Sequence, residues 1–257
     1  MILCKELLGS EQIAYARRMK TFLLLLLVVC QSTFAVRIGI LDNPCQEAIP
    51  RDQLLRYDFG GYCKYEAQNA ALAPATAQRV IYFGDSITEF WKGGIPGITN
   101  DTLNRGFSGQ TTSQMLVRFR SDVINLRPRV LHLMAGTNDI AGNTGPTSLK
   151  RLKEAIMTMV EQAQAHKIQV VLGSILPAKR FGWSPTIVPA PIIAHMNGWL
   201  KNYAQQRGII YADYYSAMID AQGGLSPHLG ADEVHPNQAG YAVMRPIAQD
   251  AIHRAAP

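Results

Sequence analysis

The 257-residue chain has no apolar run long enough to cross a membrane, no paired-cysteine metal motif and no block of basic residues. Each absence removes a class of function. A bilayer-spanning helix needs about 20 consecutive apolar residues, and the most apolar segment, Phe22 to Cys30, stops well short of that. There is no CxxC and no Cys/His cluster, so no metal ion is expected. Neither GxGxxG nor GxxxxGK followed by Ser or Thr occurs, which leaves no nucleotide-cradling loop and no expected cofactor. The net charge of +6 is mild, falls partly in the first 35 residues and lacks clustering, so no nucleic-acid partner is expected. With 47% hydrophobic and 17% charged residues, the chain reads as globular rather than disordered.

What is present begins with a leader. Arg17, Arg18 and Lys20 form a basic start, Phe22 to Cys30 an apolar stretch, and Ser32-Thr33-Phe34-Ala35 a small-residue cleavage site. These are the three regions of a secretory signal peptide over residues 1–35, with Met19 as an alternative start. Val29 stands where a lipoprotein site at Cys30 would need a small residue. A secreted or periplasmic protein without a lasting membrane anchor is therefore expected. Of the four cysteines, Cys4 and Cys30 leave with the leader. Cys45 and Cys63 remain as an even pair, which predicts a disulfide in an oxidising compartment.

Residues 36–78 hold Pro44, Pro50, Gly60, Gly61 and Pro74 and show no clean period. They predict an N-terminal arm with one short helix, packed on a domain spanning 79–257. Within that domain strands are expected at Arg79–Phe83, Thr102–Arg105, Val130–Met134, Gln169–Ile175 and Ile209–Asp213. Between them lie helical stripes: Met115, Leu116, Phe119 and Val123 after Thr111 and Thr112, then Leu149 to Ala163 after Ser148. Ile192, Met196, Trp199, Leu200 and Tyr203 form another. A last helix is expected from Pro236, kinked or interrupted at Pro246. Strands alternating with helices imply a parallel sheet covered on both faces. Ligands in such folds bind at the carboxyl ends of the strands.

Three unusual loops leave those ends: Gly84-Asp85-Ser86, Gly106-Phe107-Ser108-Gly109 and Gly136-Thr137-Asn138-Asp139. A serine hydroxyl needs a base to become a nucleophile. Asp232-Glu233-Val234-His235-Pro236 supplies a histidine with an acid three residues before it, close enough to orient the ring across a turn. Ser86, Asp232 and His235 are thus candidate nucleophile, orienter and base, with Glu233 a rival acid. Ser86 N–H, Gly109 N–H and the Asn138 amide are candidate oxyanion donors. Asp85, Asp139 and Arg105 are read as loop supports, and His132 as a satisfied core histidine. Phe90, Trp91, Phe181 and Trp183 are candidate walls of an acyl or leaving-group pocket.

Gly84-Asp85-Ser86-Ile87-Thr88 resembles the first block of the GDSL/SGNH hydrolase family. Asn104-Arg105-Gly106-Phe107-Ser108-Gly109-Gln110-Thr111-Thr112 resembles its second, Gly136-Thr137-Asn138-Asp139 its third, and Asp232-x-x-His235-Pro236 its last. The blocks run in order over residues 79 to 252. Ile87 stands where Leu is often written, and either is apolar. The resemblance implies a flavodoxin-like three-layer α/β/α sandwich with a five-stranded parallel sheet. It also implies metal-free hydrolysis of carboxylic esters by Ser86, with Gly109 in the oxyanion hole. Because the compact chain has no evident lid insertion, short-acyl or acetyl esters of small-molecule, carbohydrate or lipid type are expected. A lysophospholipase or thioesterase preferring long chains is the first alternative. A secreted carbohydrate-binding module without turnover is the second, disfavoured because a binder needs no base aimed at a serine.

Overall fold

The computed structural model describes Cys45, residues 54–91 and residues 101–256. The predicted leader, with Cys4 and Cys30, and the arm before Leu54 apart from Cys45 lie outside the described residues. The chain divides into Met1–Glu47 and Ala48–Pro257. Cys45, in the first unit, is disulfide-bonded, and so is Cys63 in the second.

The second unit opens with short helices α1 (Leu54–Tyr57) and α2 (Glu66–Ala70), then alternates strand and helix. β1 (Val80–Gly84) leads into α3 (Ser86–Glu89), and β2 (Thr102–Gly106) into α4 (Thr112–Asp122). β3 (Val130–Met134) precedes α5 (Thr137–Ile140) and α6 (Leu149–Ala165). β4 (Gln169–Gly173) precedes α7 (Pro189–Arg207), and β5 (Ile210–Ala212) is followed by α8 (Tyr214–Met218) and α9 (Gln238–Ala255). The five strands are all parallel, in the order β2-β1-β3-β4-β5. That is the flavodoxin-like order, whose switch point lies between β1 and β3.

Both faces of the sheet are covered, and residue alternation along each strand decides which core receives which side chain. Ile81, Phe83, Leu131 and Leu133 pack with Met115, Phe119, Ile156, Met159, Met196 and Leu200 from α4, α6 and α7. Val80, Tyr82, Val130 and Val171 pack with Tyr214, Met218, Met244 and Ala248 from α8 and α9. Gly84 sits level with Gly106 on one side and Met134 on the other. The loops after β1, β2 and β3 therefore emerge side by side, which is what the site requires.

Several local expectations shift by a residue or more. β4 stops at Gly173, because Ile175 gives its N–H and C=O to the buried amide of Asn197 instead of to a strand, both at 2.8 Å. β5 ends at Ala212 because Asp213 caps α8, accepting from Ser216 N. Leu149 is exposed and sits outside the stripe its neighbours form. On α7 the buried face includes Ile193 and Asn197 where the sequence reading placed Ile192. α9 begins at Gln238, capped by Asn237, while Pro236 pairs with Gly230 in a bridge. Pro246 does not interrupt that helix. Pro246 and Ala242, whose carbonyl it leaves without an amide, are both exposed, so water can serve that carbonyl.

His132 is fully buried on β3 as expected, but only half satisfied. Its Nε2 lies 2.7 Å from Tyr214 Oη, and its Nδ1 has no partner among the described residues. Burial lowers its pKa to about 3. A base depressed in this way adds stability above its unfolded pKa of about 6.5, and that stability is lost as pH falls toward 3. Asp85 works in the opposite sense. Burial raises it to about 6, so its ionisation costs stability as pH rises through that value. The His132→Phe variant should therefore keep a larger share of its pH 7 urea midpoint at pH 4.5 than the parent does. Equal fractional losses in the two proteins would remove His132 from the acid limb.

Candidate active site

The seat of Ser86 is built by close packing. A Cβ on Gly84 would overlap Thr88 Oγ1 and the Met134 carbonyl, and a Cβ on Gly106 would overlap the backbone of Glu89. Only glycine lets the ends of β1 and β2 approach the single turn of α3 this closely. Asp85 caps that turn, its Oδ1 accepting from Ile87 N at 3.0 Å, and Ser86 follows as the first helical residue. The serine is 8% exposed.

Ser86 Oγ lies 2.9 Å from His235 Nε2, and His235 Nδ1 lies 2.8 Å from Asp232 Oδ2. The other carboxylate oxygen, Oδ1, accepts the backbone N–H groups of Val234 and His235 at 2.7 and 2.6 Å. One acid thus shapes the loop and holds the ring. Burial pushes the Asp232 carboxyl up, but the His235 amide and ring and the Val234 amide more than offset it, leaving it below the ordinary value. It stays ionised where an imidazolium would need it. Glu233 is turned away, accepting from Arg180 Nε at 2.7 Å.

Gly109 has φ +80° and Gly136 has φ +124°, conformations that favour glycine. The N–H groups of Ser86 and Gly109 have no hydrogen-bond partner among the described residues. Asn138 Nδ2 donates to Gln110 O at 3.0 Å and to Asp85 Oδ2 at a longer 3.3 Å. The contact to Asp85 is near the upper limit of hydrogen-bond length, so that hydrogen is the less firmly held of the two. Asp139 supports the loop, accepting from Thr112 N at 2.9 Å and Thr112 Oγ1 at 2.5 Å. Arg105 grips Asn69 Oδ1 through Nε and Nη2.

Two clefts meet at Phe90. One, of about 780 Å³, is bordered by Lys64, Glu89, Gly109, Gln110, Asn143 and Trp183. The other, of about 660 Å³, is bordered by Trp91, Asp232, His235, Tyr241 and Arg245. Phe90 and Trp183 flank the histidine, with ring centroids 5.6 and 6.5 Å from it. Of the other two expected wall residues, Trp91 borders the histidine cleft and Phe181 is corrected. Phe181 is fully buried behind Trp183, stacked at 5.3 Å, and reaches no cleft. Trp91 is 2% exposed and stacks on Tyr241, so it backs the histidine cleft and offers it little surface.

Several residues that the sequence reading passed over hold this edge together. Arg118 on α4 is fully buried. It donates to Gly84 O, Arg105 O, Gln110 Oε1 and Asp122 Oδ2 at 2.6–3.0 Å. A signal was present: Met115, Arg118, Phe119 and Asp122 fall at i, i+3, i+4 and i+7, so a charged pair interrupts an apolar stripe. Glu89 takes Ser108 N and Oγ at 2.6 and 2.5 Å and the Lys64 ammonium at 2.5 Å. Those bonds leave its carboxyl below the ordinary value despite burial, which acts to raise it. Residues of the predicted arm join in. The carbonyls of Gly60 and Phe59 accept from Gln110 Nε2 and Gln114 Nε2, and Tyr65 Oη donates to Gly106 O.

Fold and site define the class: ester-hydrolysing enzymes on a flavodoxin-like sheet. Within that class the chain belongs to the GDSL-like Lipase/Acylhydrolase family, which its residues 82–243 match. It is 44% identical to a Bacteroides fragilis protein assigned as an acylhydrolase, over 77% of this chain and 98% of that one, with a TM-score of 0.74. A GDSL-like lipase from Bacteroides thetaiotaomicron is 40% identical over 77% of this chain and all of its own, also at 0.74. An acetylxylan esterase mutant from Geobacillus stearothermophilus, 18% identical over 69% of this chain and 95% of its own, shares the fold at 0.55. An uncharacterized lipoprotein of Bacillus subtilis (strain 168) is 36% identical over 80 residues, 30% of this chain. That match spans only 33% of the relative's length.

Removing the buried cation should damage both folding and the site. Arg118→Ala leaves Asp122 buried without its charge partner, which costs about 3–5 kcal/mol. Urea denaturation should show that loss. A variant within about 1 kcal/mol of the parent would mean the pair is dispensable.

Proposed function

We propose that the protein hydrolyses carboxylic esters through an acyl-serine intermediate on Ser86. The observation that carries this reading is the unbroken relay of Ser86 Oγ, His235 and Asp232 at 2.9 and 2.8 Å. His235 Nε2 takes the Ser86 proton as Oγ bonds to the ester carbonyl carbon. The carbonyl oxygen becomes an oxyanion facing Ser86 N–H, Gly109 N–H and Asn138 Nδ2. Collapse breaks the bond to the alcohol, which leaves with the proton from His235. Water then gives a proton to His235 as it attacks the acyl carbon, and that proton returns to Ser86 as the acid departs. Asp232 holds the ring and balances the transient imidazolium without taking its proton.

Short-acyl or acetyl esters of polar alcohols fit the surroundings best. The cleft beside Gly109 mixes aromatic faces with Lys64, Glu89, Gln110 and Asn143, whereas a long acyl chain calls for an apolar groove. Export fits as well, supported by the leader pattern and by two disulfide-bonded cysteines. Ser86→Ala should lower turnover of a chromogenic acetyl ester by at least about 10,000-fold while the protein stays folded. A serine-reactive phosphonate should label the parent and spare the variant. Full activity in Ser86→Ala would end the assignment. A rate that rises steeply with acyl length would transfer it to the lysophospholipase or thioesterase reading.

A further inference from the structure

The turn after α5 contributes a side chain whose two amide hydrogens and carbonyl oxygen are all engaged at the site. Asn143 Nδ2 donates to Gly109 O at 3.0 Å and to Asn138 Oδ1 at 2.8 Å, and its Oδ1 accepts from Trp183 Nε1 at 2.9 Å. The turn is anchored independently. Asn143 N bonds to Asn138 O at 3.0 Å, Gly142 precedes it at φ +74°, and Thr144 Oγ1 meets Thr111 Oγ1 at 3.2 Å.

The chemistry of these groups leaves one arrangement. An indole N–H donates and cannot accept, so Trp183 must face the oxygen of Asn143. That turns the Asn143 amide hydrogens toward Gly109 O and Asn138 Oδ1. Asn138 is then locked with its own Nδ2 toward Asp85 and Gln110, the side of the nucleophile turn. A flipped Asn138 would set two amide nitrogens against each other.

We propose that Asn143, oriented by Trp183, is a positioning residue that fixes which end of Asn138 meets the oxyanion. The inference rests on the esterase reading above. Trp183 also lies 6.5 Å from the His235 ring, so a residue at the substrate cleft is coupled to an oxyanion donor through one amide.

The test is a double-mutant cycle. Asn143→Asp keeps the acceptor for Trp183 but sets only oxygens against Asn138 Oδ1, so that Asn138 faces acceptors at both ends and loses its one satisfied orientation. Turnover of an acetyl ester should fall about 100-fold, the order expected for losing one oxyanion donor, with KM changing less than about threefold. Asn138→Ala should cost a similar factor. In the Asn138→Ala background the Asn143→Asp change should cost at least about tenfold less than in the parent, the residual loss coming from its contact with Gly109 O. A structural role would instead give the same loss in both backgrounds, and that outcome overturns the proposal. So does an unchanged turnover in Asn143→Asp. If Asn143→Asp does not fold, Trp183→Phe keeps an aromatic ring beside Phe181 and removes the N–H together with the five-membered ring. It should lower turnover about five- to tenfold in the parent and not in Asn138→Ala, and equal losses would again overturn it. Unchanged activity in Asn138→Ala, or activity surviving Ser86→Ala, would bring down the underlying esterase reading instead.

Discussion

The site depends on one buried guanidinium. Arg118 reaches from α4 under the carboxyl edge of the sheet and takes up the last carbonyl of β1, the Arg105 carbonyl of β2 and the Gln110 side chain, with Asp122 balancing its charge. Its plane also lies 4.2 Å from the centroid of the Phe83 ring. A planar cation with five donors can bind several acceptors at fixed angles, which an ammonium cannot. The charge costs free energy to bury, and the ion pair alone gives little net stability in return. What it provides is position. The chain leading into Ser86 and the chain leading into Gly109 are tied to the same rigid group.

Around that anchor the site has two halves with different physics. The half around the proposed oxyanion donors is largely buried, glycine-bounded and crossed by hydrogen bonds involving Glu89, Asp139, Asn143 and the 59–65 segment. Donors held there need no rearrangement when negative charge develops, and low polarity strengthens their effect. The acid–base half is a turn at the surface. The Asp232 side chain is 56% exposed and that of His235 is 22% exposed, and their geometry comes from Asx-type bonds within four residues. Proton transfer to an alcohol and then from water requires such access, whereas charge stabilisation requires its absence.

Much of this was legible in the sequence because it is local or periodic. Alternating strands and amphipathic helices fixed the layer arrangement, and four spaced motifs put Ser86, Gly109, Asn138 and His235 at one edge. The misjudgements have physical causes. Ile175 looks like strand because it is apolar, but the partner that stops the strand is Asn197, 22 positions away. Phe181 and Trp183 are near neighbours of similar chemistry, and only the loop's path decides that one is buried and the other exposed. His132 appears satisfied on pattern alone. That one ring nitrogen has no described partner depends on the packing of Tyr82, Trp91 and Tyr214 around it.

Arg118 and Asn143 escaped for a shared reason. Apart from Asp122, which shares a helix with Arg118, their side-chain partners come from other strands and loops. Asn143 joins Gly109, Asn138 and Trp183 across up to 40 positions. The motif residues are the proposed reacting groups, and their spacing can be read. The residues that orient those groups are recognised by their partners in space: Arg118 makes four hydrogen bonds and the Asn143 amide is engaged at both ends. An amide bonded at both ends keeps a single orientation, and the proposed oxyanion role of Asn138 needs that constraint because its two ends differ in sign.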